Sequence, residues 1–563
     1  MKKYLFIALA ALGFAACTDK DEVNGPVQNA EMEESYIAIN LMAADNDTRA
    51  ATDGYGYEEG TVAERAVKTA YFFFFDAEGN PFNVTTSAPG GEKNHLPLTI
   101  GNTTGKVDPN VSDIKEAVLV LNTYKGVYPS QIVAVINWTP TENTYTLGAL
   151  HNVLATLGND TNGYVMSNSV YMDGAGKMVD AVPLTAANIK TTPEAALAAP
   201  VEIYVERIAA KVVLTAEGKV DGTDNIFDTH KESTPVVTLG TPSTIDVYVK
   251  LLGWELYNDY ATSFLLKNIE NWNVADLGLT WNDIPYFRCY WADSQETTLN
   301  DSFSWSYNSG FPTPYGFAVG AHTYCGENTW AVAIDGEGKV TPNPNNTKVI
   351  LKGQLMQKNG ETYELLELAR WYGTEYAGNE ALRTAVANSL KYTLYYKDGE
   401  NYVSIKPEDI MCVKGADVGA KAYEVGFQLS TTENYGDDKT WYKYDSTNGY
   451  VIFGTADNYT DNTTKTNEYL KSVEPALLYA EGQTYYIVDI EHLGTASAKY
   501  GVVRNHVYQI DINSIKGYGS PVFSGDIGYL KPEYPTEDEA SYVAARINVL
   551  SWKVVKQGVN IVQ

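Results

Sequence analysis

Apolar and other residues alternate along Ser35–Ala44, SYIAINLMAA. Ile37, Ile39, Leu41 and Ala43 share one face, and Ala38, Asn40 and Met42 the other. That period of two predicts a half-buried strand. Past it, Asp45–Thr48 and Arg49 form a polar connector, and Ala51-Thr52-Asp53-Gly54-Tyr55-Gly56 holds nothing apolar enough to bury. A strand fit to complete a core is thus tied to the chain by a loop with a trypsin-type bond, Arg49–Ala50, and exposed loops are where nicking concentrates. Two readings compete: an ordinary first strand with an ordinary loop arginine, or a strand made to be removed.

The rest of the pattern is strand and turn. Val67–Asp76 predicts an aromatic-rich strand ended by Glu78-Gly79-Asn80-Pro81. Ala117–Asn122 and Gln131–Asn137 are nearly continuous apolar runs, which predict strands buried on both faces. Leu147, Leu150, Leu154 and Leu157 are spaced for one face of a helix. Val201–Leu214 predicts one long strand, with the charged pair Glu206-Arg207 on a solvated face or in a bulge. At Thr215–Pro235 the composition shifts to Gly, Asp, Thr and Lys, which marks a domain boundary. Strands are expected again at Thr244–Trp254, Val349–Met356, Tyr485–Ile490 and Val502–Ile512, and helices at Glu364–Tyr372 and Glu380–Leu390. Thr393–Ile405 reads as a hairpin turning at Asp398-Gly399, and the tryptophan-dense stretch 272–330 as long loops. The tail stays strand-like to the last residue, with Trp552, Val554, Val559 and Ile561 as its apolar positions. A polar, frayed terminus is the usual case; an apolar terminal strand needs a groove, which need not be its own. Many short strands and few helices predict a mainly β protein, with two β-sandwich domains of Greek-key, transthyretin-like type at about 50–220 and 221–563.

Composition narrows the partners. The chain has 563 residues, 42 Tyr, 10 Trp and a formal charge of −29, which disfavours nucleic acid and anionic membranes. Lys2 and Lys3 followed by the apolar Tyr4–Leu12 and Ala15-Ala16-Cys17 form a secretion signal. It is similar to the bacterial lipoprotein type, in which the cysteine, here Cys17, is lipidated. Residues 1–17 are then the signal with its lipidated cysteine, and 18–49 a propeptide holding the removable strand Ile37, Ile39 and Leu41. A cut after Arg49 removes four of the 41 basic and eight of the 70 acidic residues, which leaves a charge of −25 and no lipid anchor. Three cysteines remain, Cys289, Cys325 and Cys412, so at most one internal bridge forms; Cys289–Cys325, in one aromatic-rich segment, is the expected pair.

No catalytic constellation stands out. None of His95, His151, His230, His322, His492 and His506 has zinc-ligand spacing. His322-Thr-Tyr-Cys325 reads as structural rather than as a catalytic pair. Asp221, Asp224 and Asp228 lack EF-hand spacing and read as a solvated linker, and no nucleophile elbow or phosphate loop is present. The expectation is no enzyme, no metal and no cofactor.

Several strings carry a resemblance: VERIAAKVVL at 205–214, GWELYND at 253–259, FLLKNI at 264–269, YGVVRNHVYQIDINSIKGYGSP at 500–521 and INVLSWKVV at 547–555. With the lipoprotein signal and the Arg49–Ala50 bond, the whole chain resembles the type V (Bacteroidales) fimbrilins. The resemblance implies a precursor lipid-anchored to the outer membrane and cut at Arg49 by an Arg-specific surface protease; Arg65 is a rival site. The cut would free the first strand and open a groove, which the C-terminal donor strand of a second copy would fill by strand addition. On this chain the donor would be Ser551–Gln563, with Trp552, Val554, Val559 and Ile561 as knobs. The product would be the shaft of a surface fimbrium: a homopolymer that also meets anchor and tip subunits and bacterial or host surface receptors, in adhesion, coaggregation and biofilm formation. The alternative is a fimbrial tip or anchor, or a glycan-binding surface lipoprotein. A tip need not end in a donor strand, and an anchor needs no cut.

Overall fold

A computed structural model describes residues 32–44, 60–85, 92–98, 111–124, 126–172, 178–216, 225–229, 234–238, 241–269, 291–294, 322–419, 421, 423–431, 439–454, 459–492, 496–523, 542–550 and 555–558. Cys17, Arg49, Ala50, Trp552, Val554, Val559 and Ile561 lie outside the described residues, as do Cys289, Asp221, Asp224 and most of 272–330.

The first sheet is built from β1 (Met32–Ala44), β2 (Ala70–Phe75), β3 (His95–Leu98), β4 (Val111–Tyr124), β5 (Gln131–Ile136), β6 (Met166–Asn168) and β7 (Val201–Arg207). Its spatial order is β3-β2-β5-β6-β7-β1-β4. The unbroken apolar runs of β2 and β5 are explained by burial on both faces. Phe72, Phe74, Ile132, Ala134 and Ile136 enter one core with Ile37, Leu119 and Ile203, while Phe73, Phe75, Val133 and Val135 enter another with Tyr145, Leu150, Ile208 and Leu265. The run in β4 behaves differently. Leu119 and Leu121 are buried but Val120 is 43% exposed, so this edge strand is covered on one face only, against expectation. β4 ends the sheet and so also carries an unpaired backbone edge.

The second sheet holds β8 (Ala210–Ala216), β9 (His322–Cys325), β10 (Val507–Lys516), β11 (Tyr542–Leu550) and β12 (Val555–Gly558), in the order β9-β8-β10-β11-β12. It faces a further sheet of Ile226–Asp228, Val247–Tyr257, Lys348–Asn359, Gln483–Asp489 and Ser520–Pro521. Val212, Leu214, Tyr508, Ile510 and Ile512 on one side and Val249, Trp254, Leu351 and Val488 on the other form a single apolar core, the arrangement of a β-sandwich. The chain that runs in sequence between the paired strands Lys348–Asn359 and Gln483–Asp489 forms a separate core, which gathers Leu382, Val386, Tyr396, Phe427, Trp441 and Leu470.

Four expectations change. Val201–Leu214 is not one strand: β7 pairs within the first sheet, the chain turns at Ile208-Ala209, and β8 joins the second. The passage between sheets therefore lies inside the stretch 50–220. The leucines at 147–157 form a short helix, Leu147–His151, followed by the strand Leu154–Thr156. Glu364–Tyr372 is not helical; Thr362–Leu365, Leu368–Trp371 and Thr374–Ala377 are strands. Cys325 and Cys412 are buried free thiols, so the expected Cys289–Cys325 bridge is not formed.

Candidate functional site

β1 occupies the slot on which any assembly role depends. It lies between β7 and β4, parallel to β7 with Ile39 opposite Val201 and Leu41 opposite Ile203, and antiparallel to β4 along most of its length. Ile37 stands opposite Leu119, and both are buried in the same core. Complete burial of an isoleucine side chain contributes roughly 1.5–3 kcal/mol. Ile39 and Leu41 are placed by their backbone pairing within the same strand. The slot is imperfect: Ser35 and Thr123 are buried, and neither Ser35 Oγ nor Thr123 Oγ1 has a hydrogen-bond partner. A hydroxyl sealed in this way costs about 1–3 kcal/mol.

The stretch Thr61–Ala66, ahead of β2, is fastened by several hydrogen bonds. Thr61 N donates to Glu64 Oε2 (2.5 Å) and Glu64 N to Thr61 Oγ1 (3.2 Å), a reciprocal cap. Arg65 N donates to the carbonyl of Thr61, Ala66 N to that of Ala63, and the carbonyl of Ala66 accepts from Asn137 Nδ2 at 2.7 Å. The Arg65–Ala66 bond is thus folded into a turn and bonded on both sides.

Glu64 then reaches into the junction between the two sheets. Its carboxylate accepts from Lys211 Nζ at 2.8 Å and from the Tyr324 hydroxyl. Burial pushes this carboxyl up, but the bonds from Lys211 and Tyr324 outweigh it and hold the group below its usual range. Arg207 Nε donates to the Glu64 carbonyl (2.6 Å), and its Nη1 to Asn505 Oδ1 (3.3 Å). Next to it, Lys267 pairs with Glu206 at 2.8 Å, and Arg504 with Glu327 at 2.5 Å. Arg504 also donates to the carbonyls of Phe264 and Leu265. All of these charged side chains are buried. Glu206 is pushed up by burial, with Lys267 and Arg504 opposing.

Sequence reasoning placed Glu206-Arg207 on a solvated face; the structure buries both. The signal was present, since each flank of the pair is apolar and a central strand offers no solvent to either charge. The string VVRNHVY proves to be the hub of the same junction. Val503 N donates to the Tyr508 hydroxyl, Asn505 receives Arg207, and His506 Nδ1 lies 2.7 Å from the Arg504 carbonyl. His322 and Cys325 do not form a pair: His322 Nε2 sits 3.2 Å from the Tyr324 hydroxyl, and Cys325 turns into the sandwich core, where burial raises its thiol pKa. Among the described residues, no cluster of three or more His, Cys, Asp or Glu could hold a metal ion.

At the other end, β11 pairs antiparallel with β10, and β12 folds back on β11 with Arg546 opposite Gly558 and Val549 opposite Val555. β12 is the last strand of its sheet. β12 falls within the expected donor Ser551–Gln563, so residues 555–558 of that stretch pair here with β11 of their own chain, as a strand that leaves an edge.

Residues 477–558, which include β10 to β12 and the VVRNHVY hub, match the family model described as major fimbrial subunit protein type IV, fimbrillin, C-terminal. No curated protein matches the chain. Among solved structures, a fimbrilin, FimA, from Porphyromonas gingivalis is 12% identical, with 92% of this chain and 99% of that one covered and a TM-score of 0.35. The tip fimbrial protein Mfa3 from the same organism is 11% identical, with 92% and 100% covered and a TM-score of 0.27. A fimbrial assembly protein from Parabacteroides distasonis is 11% identical, with 75% and 100% covered and a TM-score of 0.28. These superpositions are loose, and the C-terminal match is the one that bears on family.

Proposed function

We propose, for a chain that belongs with the type V fimbrilins through its fimbrillin C-terminal region, that it is a shaft subunit which polymerises by protease-activated strand exchange. A fimbrial, adhesion-related subunit is the part already carried by the family. The observation behind the finer reading is the seat of β1. It enters the first sheet next to the edge, makes the ladder that holds β4, and is joined to the body through the stretch containing Arg49. Excision after Arg49 would leave β7 and β4 as two open edges flanking an apolar trough lined by Leu119, Leu121 and Ile203. A strand from a second copy would restore both ladders. An apolar side chain at the position of Ser35 would also avoid burying that strand's own hydroxyl. On this reading the incoming strand outcompetes the one it replaces, and Trp552, Val554, Val559 and Ile561 are its knobs.

Arg49 is the favoured cut because the rival bond is shielded: a protease needs an extended substrate, and Arg65 lies in a hydrogen-bonded turn whose Glu64 is locked in the junction. The precursor is held by lipid on Cys17 until that cut, at the outer membrane, and an Arg-specific surface protease supplies it. The domains would then be the sandwich of 50–220 and that of 221–563, with 1–17 and 18–49 discarded. An anchor or tip subunit is disfavoured by the coexistence of a cut site and an apolar tail.

Arg49→Ala is expected to leave a lipidated, monomeric precursor, read by electron microscopy of surface fibres and by mass spectrometry of the subunit. N-terminal sequencing of subunits from sheared fibres should begin at Ala50. Fibres whose subunits still carry residues 35–49 would refute the exchange.

A further inference from the structure

The four-stranded sheet of Asn401–Ser404, Leu394–Asp398, Trp441–Asp445 and Gly449–Ile452, in that spatial order, turns one face outward, where Tyr444, Tyr450 and Ile452 are exposed. Leu394, Tyr396 and Trp441 turn inward to the core. Their neighbours turn outward, and cross-strand register places Tyr395 opposite Tyr442, Tyr442 opposite Ile452 and Tyr444 opposite Tyr450, with Tyr402 on the flanking strand. The rings are ordered. Tyr402 and Tyr450 stack at 3.9 Å with 8° between planes, and Tyr395, Tyr442 and Tyr444 meet them edge-on at 5.0–5.2 Å. Tyr444 is 59% exposed and Ile452 44%. An organised exposed aromatic face marks an interaction site more often than chance. Ser404 lies opposite Tyr395 on this face, and tyrosine with small polar neighbours is the make-up of protein-binding paratopes: large rigid contact area with small adaptable hydrogen-bonders. Rings already held by one another lose little freedom when a partner arrives.

Charge selects the occupant. The chain carries −29, so a cationic surface is drawn in and a polyanion is repelled. The hairpin ends of this sheet add Asp398, Glu400 and Asp445, against Lys397 on the face itself. Tyrosine faces accept cations.

We propose that the tyrosine face of this sheet is a docking surface for a partner protein presenting an arginine- and lysine-bearing patch. This deepens the fimbrial reading, on which it rests for its biology, because a polymer would repeat the face along its length.

The test uses the full chain and three probes: a peptide alternating Arg and Gly, one alternating Glu and Gly, and dextran. The triple variant Tyr402→Ser, Tyr444→Ser, Tyr450→Ser leaves the charge unchanged. Calorimetry is expected to show the Arg peptide binding, weakening with salt, and binding about tenfold or more weakly to the triple variant, the scale of an interface hot spot. Should the triple variant fail to fold, Tyr444→Ser alone carries the test, with a loss of about threefold expected. Equal affinity for wild type and variant would overturn the proposal by reducing binding to bulk charge. So would dextran binding that depends on the tyrosines while peptide binding does not. Fibres should form equally from all these variants. Failure of wild type and variant alike to polymerise strikes the assembly reading and leaves this one standing; fibres that form normally and bind the peptide no differently after substitution strike this one alone.

Discussion

The β1 slot and the junction between sheets are both buried, and both join parts of the chain distant in sequence, yet they are held by opposite kinds of chemistry. β1 is held by a backbone ladder and by apolar contact such as that of Ile37 with the core of Leu119 and Ile203. Neither kind of contact asks for a particular residue, since every strand offers the same ladder and apolar burial is non-directional. The junction is held by Lys267–Glu206, Arg504–Glu327 and Lys211–Glu64, with Arg207 bridging Glu64 to Asn505. Here each charge needs its own partner, and a stranger would leave an ion buried alone. On the proposed exchange, the slot is the region whose occupant changes and the junction the region that does not: a seam that exchanges, and a body that stays stiff while it does.

The largest effect should come from breaking the junction. Arg504→Ala leaves Glu327 buried without its cation and is expected to cost about 3–5 kcal/mol in urea unfolding. Arg504→Met together with Glu327→Gln should recover most of it, since both charges then leave together. If Arg504→Ala costs no more than a core truncation, the contrast between the two regions fails.

Truncation within the slot comes next. Ile37→Ala should destabilise the uncut precursor by about 2–5 kcal/mol and leave the dissociation temperature of assembled fibres unchanged, because the residue would no longer be present. A fibre weakened by Ile37→Ala would mean that β1 never departs.

Much of the slot was legible beforehand, because its signal is local. The period of two over residues 35–44 gives a strand, and the strand is found. The hairpin at Asp398-Gly399 was equally plain, and Gly399 takes the positive φ that such a turn requires. What sequence hid was decided by distant neighbours. The leucines at 147–157 fit a helix, but Ala155 is buried while Leu154 is 47% exposed, so from Leu154 onward the period is two, and the strand pairs with Thr262–Phe264. Glu364–Tyr372 was lost to pairing with Lys348–Asn359 and to a tight turn at Tyr372-Gly373, both at positive φ. The helix Tyr459–Lys471 gave no apolar stripe because Asn462 and Thr466 are buried for hydrogen bonding. The junction is hidden for a similar reason: Lys267, Glu64 and Asn505, between 61 and 298 residues away, make Glu206-Arg207 an interior pair, and nothing adjacent in sequence announces them.

Acid should separate the two regions most finely. His95, on β3 beside Phe73 and Tyr145, is held down to about 4 by burial and by Lys93. The fold prefers it neutral, so its contribution is complete above pH 6.5 and is lost as pH falls toward 4. Glu206 has the opposite sign: its raised pKa means the fold prefers it protonated, so the junction gains as pH falls toward the ordinary carboxylate value. Glu64, held low, gives way only below that value. Amide exchange corrected for intrinsic rates should therefore quicken at residues 70–75 and 131–136 between pH 6.5 and 4.5, while residues 507–512 remain protected. His95→Phe should abolish the acid response of the first sheet without touching the second. If both regions loosen together and the substitution changes neither, slot and junction are one cooperative unit, and exchange at the one could not proceed without disturbing the other.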